Sequence, residues 1–225
     1  GVSTYTVDYV TSGQALNLVY SGATIGWTPS SDIVNALEPV APATQRAIFG
    51  FGNPGSGYTG VTNLVNSSGV VQADVSAVGT ARRQLTATNF GGDKAIFGYG
   101  NANNSPAFAS MTNIVSNLGV VAADVTGVGT ARQDMAATGY GGDKAIFAYG
   151  QASGEKSMSN LVNNLGVVAA DVTGVGTARN GMAAVEYGSS GQAIFGYGGL
   201  AISNLVSSSG VIATDTSIAG TSRHY

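Results

Sequence analysis

The feature that most constrains this 225-residue chain is a block of sequence that recurs four times. Each copy contains an Ala-Ile-Phe strand signal, then a Thr/Ser-Asn-Leu/Ile-Val signal, then a Gly-Thr-Ala/Ser-Arg signal. The step from the asparagine to the arginine is 19 residues in every copy. Constant spacing of this kind predicts a repeat architecture, in which each copy forms one small unit that packs on its neighbours. The landmark residues are Asn63, Asn113, Asn160 and Asn204, and Arg82, Arg132, Arg179 and Arg223.

The pattern within one copy is that of β-structure. In KAIFGYG at 94–100 alternate residues share a face, which predicts a strand with Ala95, Phe97 and Tyr99 on one side. GGDK at 91–94 and at 141–144 predicts hairpin turns, because glycine supplies a positive φ and aspartate favours turns. No window keeps the 3.6-residue period of a helix. The sequence therefore predicts an all-β fold.

Length varies between copies in one segment only, which predicts a surface loop, since packed strands do not absorb insertions. These segments are 50–60, 98–110, 148–157 and 196–201. Their non-repeated aromatic and amide side chains suit stacking on sugars and hydrogen bonding to a partner. The alternative is that the same residues fold back and cover the repeats. The candidate binding residues are Tyr58, Asn101, Asn103, Asn104, Phe108, Gln151 and Glu155.

The order of these signals resembles the kelch-type β-propeller repeat over residues 47–225. An arginine leads into a small-residue strand, then come a glycine-rich hairpin, the Ala-Ile-Phe strand, a variable loop and an Asn-x-Val strand. The near-identical copies are also similar to repeats common in bacteriophage and environmental virus proteins. The resemblance implies an all-β propeller of four-stranded blades.

Residues 1–46 are nearly one period long, and ALNLVYSGATIGW at 15–27 echoes the later copies. We therefore expect a diverged first blade followed by four regular blades, which gives a five-bladed propeller. The alternative is a four-bladed propeller formed by 47–225, with 1–46 as an N-terminal arm for attachment or oligomerisation.

An aspartate stands eight residues before each repeated arginine, and the pairs are Asp74/Arg82, Asp124/Arg132, Asp171/Arg179 and Asp215/Arg223. One hypothesis is a ring of arginines that binds anionic sugars or phosphate. The preferred interpretation is a structural ion pair in each blade, which pins a turn or bridges to the next blade. A charge copied in every repeat with its counter-charge at fixed spacing favours structure over function.

Composition argues against several classes of function. Charged residues make up 9% of the chain and the net charge is −3, without the basic stripe of a nucleic-acid binder. Cysteine is absent and the one histidine is His224, so thiol chemistry and histidine-rich metal sites are not expected. The sequence contains no uninterrupted apolar run of about 18 residues, so it does not predict a membrane-spanning helix. We expect a protein that is not an enzyme and uses no cofactor or metal.

The preferred hypothesis is a virion structural, decoration or receptor-binding protein that displays variable loops on a rigid disc. Its location would be a virion or the extracellular space. Its partners would be other virion proteins, a host-surface glycan or a receptor, and an oligomer is left open. One alternative is a carbohydrate-binding, lectin-like propeller; another is a cellular kelch-type scaffold for protein partners.

Overall fold

The computed structural model describes residues 18–20, 27–29, 45–102 and 107–224. Every named element in these ranges is a β-strand, so the all-β prediction is confirmed. The chain divides into two compact units, Gly1–Thr44 and Gln45–Tyr225. In the first unit, β1 (Leu18–Tyr20) pairs antiparallel with β2 (Trp27–Pro29). Most of the proposed first blade lies outside the described residues, and so do the candidates Asn103 and Asn104.

Each repeat of the second unit folds into a small antiparallel sheet. The first repeat contains β3 (Gln45–Gly52) and β4 (Thr59–Asn66). The second contains β5 (Arg82–Arg83), β6 (Thr86–Phe90), β7 (Lys94–Gly98), β8 (Asn101–Ala102) and β9 (Thr112–Val115). The third contains β10 (Ala136–Tyr140), β11 (Lys144–Ala148), β12 (Gln151–Ala152), β13 (Gly154–Glu155) and β14 (Ser159–Val162). The fourth contains β15 (Met182–Tyr187), β16 (Gln192–Tyr197), β17 (Ile202–Val206) and β18 (Thr216–Ser217).

The same strand order recurs from sheet to sheet. The orders are β6-β7-β9, β10-β11-β14 and β15-β16-β17-β18, so the Ala-Ile-Phe strand is central in all three. An outer segment adds single bridges in the second and third repeats, Thr112 to Val125 and Ser159 to Val172. In the second repeat the short strands β5 and β8 form a separate pair, which brings Arg83 opposite Asn101.

The glycine-rich hairpins form as predicted. Strands β6 and β7 are joined through a tight turn in which Phe90 pairs with Lys94. Gly91 and Gly92 have φ angles of 63° and 80°, the left-handed region that glycine adopts without steric penalty. The prediction of turns at GGDK is therefore confirmed for this hairpin.

The predicted strand at 94–100 is two residues too long, because β7 ends at Gly98. Tyr99 has a φ of 62°, and its counterparts Tyr149 and Tyr197 have 62° and 67°. A left-handed conformation disfavours a non-glycine residue by roughly 1–2 kcal/mol. Contacts of the tyrosine ring with the next repeat must therefore stabilise this sharp change of chain direction.

Aromatic side chains fill the space between successive sheets. Strand β10 lies against both β6 and β15. The Tyr99 ring meets the edge of Phe147 at 5.2 Å between centroids, and Tyr149 meets Phe195 at 5.5 Å. Phe97, Phe147 and Phe195 are buried, whereas the corresponding Phe49 is 61% exposed. Its repeat is the first of the unit, so no earlier described repeat places a tyrosine against it.

Candidate functional site

Each buried arginine lies in a polar site that we call an arginine socket, formed by an asparagine, an aspartate and a backbone carbonyl of the same repeat. Arg132 is fully buried. Its Nη2 donates to Oδ1 of Asn160 (2.6 Å) and its Nε donates to the carbonyl of Tyr149 (2.9 Å). Its Nη1 donates to the carbonyl of Thr130 (2.9 Å) and lies 3.6 Å from Oδ1 of Asp171. The planar guanidinium thus uses its donors in a fixed fork geometry.

The aspartate of the socket also holds the segment that carries the arginine. Asp171 Oδ2 accepts from the amide (3.0 Å) and from the hydroxyl (2.7 Å) of Thr130. Its Oδ1 accepts from Nδ2 of Asn160 at 2.9 Å. Gly129, one residue earlier, has a φ of 75°, and a Cβ there would overlap Oδ1 of Asp171. These contacts explain why Gly-Thr-x-Arg recurs as a unit.

The ion pairs differ from the predicted ones. The sequence interpretation paired Asp74 with Arg82 and continued at a spacing of eight. In the structure each arginine faces instead the aspartate that follows it in the chain, because the Gly-Thr-x-Arg segment lies against the sheet that comes after it. The observed pairs are Arg82–Asp124 (3.7 Å), Arg132–Asp171 (3.6 Å) and Arg179–Asp215 (3.8 Å). The ion pairs therefore still connect successive repeats, but each arginine has a different aspartate partner from the predicted one.

Burial sets the electrostatics of the sockets. It lowers the pKa of Arg82 to about 10, although the charge of Asp124 opposes this shift. Burial acts to raise the pKa of Asp124, but hydrogen bonds from Thr80 and Asn113 and the charge of Arg82 outweigh it and the pKa falls. Burial also raises the pKa of Tyr99 to about 12. Since three of the arginines are buried, they cannot form a solvent-facing ring for anions.

Two of the variable loops contribute to a chain of side-chain hydrogen bonds that we call the loop network: Tyr58, Asn101, Gln133, Asp134 and Gln84. The hydroxyl of Tyr58 donates to Asn101 (3.0 Å), whose Nδ2 donates to Gln133 (2.7 Å). Gln133 donates to Asp134 (2.9 Å), and Gln84 donates to both oxygens of the same carboxylate (3.0 Å each). The network joins three successive repeats.

A second group of loop residues lies between the third and fourth repeats. Asn180 Nδ2 donates to Glu155 Oε1 at 3.3 Å and approaches Gln151 Oε1 at 3.5 Å. The backbones of Gln133 and Gln151 also exchange hydrogen bonds, at 2.8 and 2.9 Å. Two of the predicted candidates, Gln151 and Glu155, are therefore brought together.

Arg83 is the charged side chain beside Tyr58. Its guanidinium carbon lies 5.1 Å from the centre of the Tyr58 ring, within range of a cation–π interaction. Within the described ranges, Arg83 Nε is the buried side-chain nitrogen or oxygen that lacks a hydrogen-bond partner. Leaving a buried donor without an acceptor costs free energy, so the Arg83 side chain is a candidate functional group.

The remaining loop candidate folds back onto the chain. Phe108 is half-buried, and its backbone pairs with that of Asn101. Tyr58 and Asn101 are half-buried as well. All three side chains thus pack partly against the chain and still border the surface.

Sequence reasoning missed the residues that directly follow the repeated arginines. Arg83, Gln133 and Asn180 each stand one position after a socket arginine and belong to the loop contacts. This position changes from copy to copy while its neighbour is constant. Variation between copies at a position flanked by constant residues could have identified them. The sequence interpretation applied that criterion to the long loops only.

The described ranges contain no group of three or more His, Asp or Glu side chains that could hold a metal ion. In those same ranges, no helix has the length and apolar character needed to cross a bilayer. No family model matches the chain, and no curated protein is significantly similar to it.

Proposed function

We propose that this protein is a non-enzymatic display scaffold of a virion or another extracellular particle. Its repeats stack as propeller blades stack, and its variable loops bind a partner. Two properties support the scaffold: the arginine sockets tie each repeat to the next, and the first strands of successive sheets pack together. The proposed location on a particle rests on the resemblance of these repeats to repeats of viral proteins.

The loop network is the observation that carries the proposal. Residues that differ from copy to copy are hydrogen-bonded to one another across repeats, so they form one continuous surface. The network is built mainly from amides, a phenol and one carboxylate, which offer both donors and acceptors. Such a surface suits a hydroxyl-rich or amide-rich partner, that is, a glycan or an extended peptide.

The region around Tyr58 is the centre of the proposed surface. The aromatic ring is flanked by the guanidinium of Arg83 and by the amide of Asn101. Rings of this kind anchor recognition sites because they offer large contact area with little loss of conformational freedom. The guanidinium of Arg83 adds a positive charge beside the ring.

The test is binding of the full chain to a glycan array and to host cells, with and without a substitution at the proposed centre. Tyr58→Ala should abolish saturable binding. The control is Tyr187→Ala, since Tyr187 is an exposed tyrosine at the end of β15, outside the loop network. Equal loss of binding in both variants, or unchanged binding in Tyr58→Ala, would contradict the proposal.

A lectin is the second candidate, favoured by one observation. The Tyr58–Arg83–Asn101 group combines an aromatic ring with charged and amide donors, the set that binds sugars. The group occurs in one copy only, which favours a single sugar site over one per repeat. Binding to purified glycans, without any association with particles, would favour the lectin over the particle scaffold.

A further inference from the structure

The residue that directly follows a socket arginine is held in place by its neighbour, yet its chemistry differs from copy to copy. It is Arg83 in the second repeat, Gln133 in the third and Asn180 in the fourth. Arg83 lies opposite Asn101 in the β5–β8 pair, and Gln133 lies opposite Gln151 in the corresponding bridge. A change at this position therefore alters the loop surface while the socket behind it stays the same.

Arg83 is the cation in this series of positions. The three socket arginines are buried and face aspartates. Lys94 and Lys144 each form an ion pair with the aspartate that precedes them, at 2.8 and 2.6 Å. None of the ion pairs within the described ranges includes Arg83. Its charge is therefore not neutralised by a carboxylate of the described chain.

The contact with Tyr58 positions this charge without using its donors. The guanidinium carbon of Arg83 lies 5.1 Å from the centre of the ring, and the phenol itself is held by its hydrogen bond to Asn101. A cation–π interaction engages the charge and leaves the N–H groups free to donate. In the described part of the chain, Nη1 and Nη2 of Arg83 donate no hydrogen bond, and neither is a buried atom without a partner. Both terminal nitrogens therefore reach the surface.

The loop surface is positive at one end and negative at the other. Arg83 stacks on Tyr58 at the first end, and the carboxylate of Asp134 lies three hydrogen bonds further along the loop network. Glu155 adds a second carboxylate among the loop contacts between the third and fourth repeats. An anionic group is attracted at the Arg83 end and repelled at the other, which orients a ligand that carries one charged unit.

We propose that Arg83 makes this surface select a glycan that carries a carboxylate, an inference that rests on the proposed binding role of the loops. The carboxylate accepts two parallel hydrogen bonds from Nη1 and Nη2 of Arg83. The ring of Tyr58 packs against the carbon atoms of the same sugar. The uncharged remainder of the glycan extends towards Gln133, whose amide suits neutral hydroxyl groups.

A carboxylated sugar fits these groups better than other anions. One guanidinium offers two parallel donors, which match the two oxygens of a planar carboxylate. A sulfate would keep a third oxygen without a partner. An acidic peptide carries its carboxylate on a flexible side chain and loses conformational freedom on binding, whereas a sugar ring holds its carboxylate rigidly beside Tyr58.

The experiment measures binding of the full chain to matched pairs of immobilised glycans. The pairs are oligogalacturonate and its methyl ester, and sialyllactose and its methyl ester, because esterification removes the charge and keeps the hydroxyl groups. In at least one pair, the acidic glycan should bind roughly tenfold or more tightly than its ester, the usual effect of a charged hydrogen bond. Added salt should weaken binding of the acidic glycan more than that of the ester.

Substitutions at position 83 separate the charge from the rest of the surface. Arg83→Gln introduces the residue that the third repeat has at this position, and it should remove the preference for the acid while binding of the ester stays within about twofold. Arg83→Lys should keep part of the preference, because lysine retains the charge but lacks the planar fork. The control is Lys94→Gln, which removes a cation that is paired with Asp93 and should bind like the wild type. Circular dichroism checks that all variants are folded.

Equal affinity for the acidic glycans and their esters would overturn this inference and leave the proposed glycan-binding role intact. An unchanged preference in Arg83→Gln would do the same. Tighter binding of a sulfated glycan, or of an acidic peptide, would overturn the choice of ligand. The proposed function fails by a different result, namely a wild-type chain that binds neither glycans nor host cells, or a Tyr58→Ala variant that binds them as the wild type does.

Discussion

The guanidinium of Arg132 lies 4.8 Å from the ring centre of Tyr99, although the two side chains serve different repeats. Tyr99 directly follows the second repeat's central strand, while Arg132 is bonded to Asn160 and Tyr149 of the third. The arginine therefore contacts both repeats at once. Stability of the second unit should depend on these junctions as much as on the sheets themselves.

Removing the carboxylate of a socket should destabilise the fold strongly. Asp171→Ala leaves the buried Arg132 without its counter-charge and leaves the amide of Thr130 without its acceptor. We expect a loss of about 1–3 kcal/mol in the free energy of unfolding, because the arginine is buried but the carboxylate is partly exposed and screened by solvent. Urea denaturation followed by circular dichroism measures it.

The matched control is Asp93→Ala, which removes a carboxylate that pairs with Lys94 on the surface. Exposed pairs of this kind contribute little, so its effect should be much smaller than that of Asp171→Ala. A similar loss of unfolding free energy in the two variants would show that the socket carboxylates stabilise the fold no more than a surface carboxylate does.

Glycine at the start of the Gly-Thr-x-Arg segment should be needed for space as well as for conformation. Gly129→Ala places a Cβ against Asp171 and 2.6 Å from Nδ2 of Asn160. Gly142 has a similar φ of 81°, but a Cβ there meets nothing within 4 Å. Gly142→Ala should therefore destabilise by about 1–2 kcal/mol from backbone strain alone. Gly129→Ala should lose about 1–3 kcal/mol more from overpacking.

Thermal unfolding of the two variants, compared at equal protein concentration, measures this difference. The prediction fails if Gly129→Ala and Gly142→Ala shift the melting temperature by the same amount.

Stability should fall steeply in acid. The folded-state pKa values of Asp124, Asp171 and Asp215 are lowered: burial opposes ionisation, but hydrogen bonds from threonine and asparagine and the arginine charge outweigh it. A folded pKa below the unfolded value of about 3.9 means that the stabilisation is complete above that pH. It is then lost as the pH falls through the folded values.

The measurement is the urea midpoint from pH 7 down to pH 2.5. Asp171→Asn should show a shallower decline than the wild type, because one of the three socket carboxylates no longer titrates. A wild-type midpoint that stays constant between pH 5 and pH 2.5 would argue against ionised sockets.

The loop network should contribute modestly to stability. Tyr58→Phe removes only the hydroxyl that donates to Asn101, so we expect a loss of about 0.5–1.5 kcal/mol. Tyr187→Phe alters an exposed tyrosine and should stay within about 0.5 kcal/mol. Chemical denaturation of both variants measures the change in the free energy of unfolding. Equal changes would mean that the hydrogen bond between Tyr58 and Asn101 does not couple the loops.

Much of the fold could be predicted from the sequence, because the repeated signals fall on strands and hairpins whose chemistry is local. The hairpin at Gly91 and Gly92 and the strand at 94–98 needed only turn preference and alternation. The left-handed Tyr99 was not predictable, since its conformation depends on contacts with Phe147 and Arg132 of the next repeat.

The partners of the arginines illustrate a limit that belongs to repeats. In a periodic sequence, an aspartate eight residues before Arg132 implies another about forty residues after it. Spacing alone cannot choose between Asp124 and Asp171; the path of the chain between sheets decides. The loop network was equally hidden, because Gln84 and Asp134 lie far apart in the sequence and meet only in three dimensions.

The three junctions at Arg82, Arg132 and Arg179 have the same chemistry, so any repeat presents to its neighbour the surface that every other repeat presents. Duplication or loss of one whole copy in the gene would therefore join surfaces that already fit. The chain could therefore evolve to contain more or fewer repeats, and its loops could diverge separately, without the evolution of a new interface between repeats.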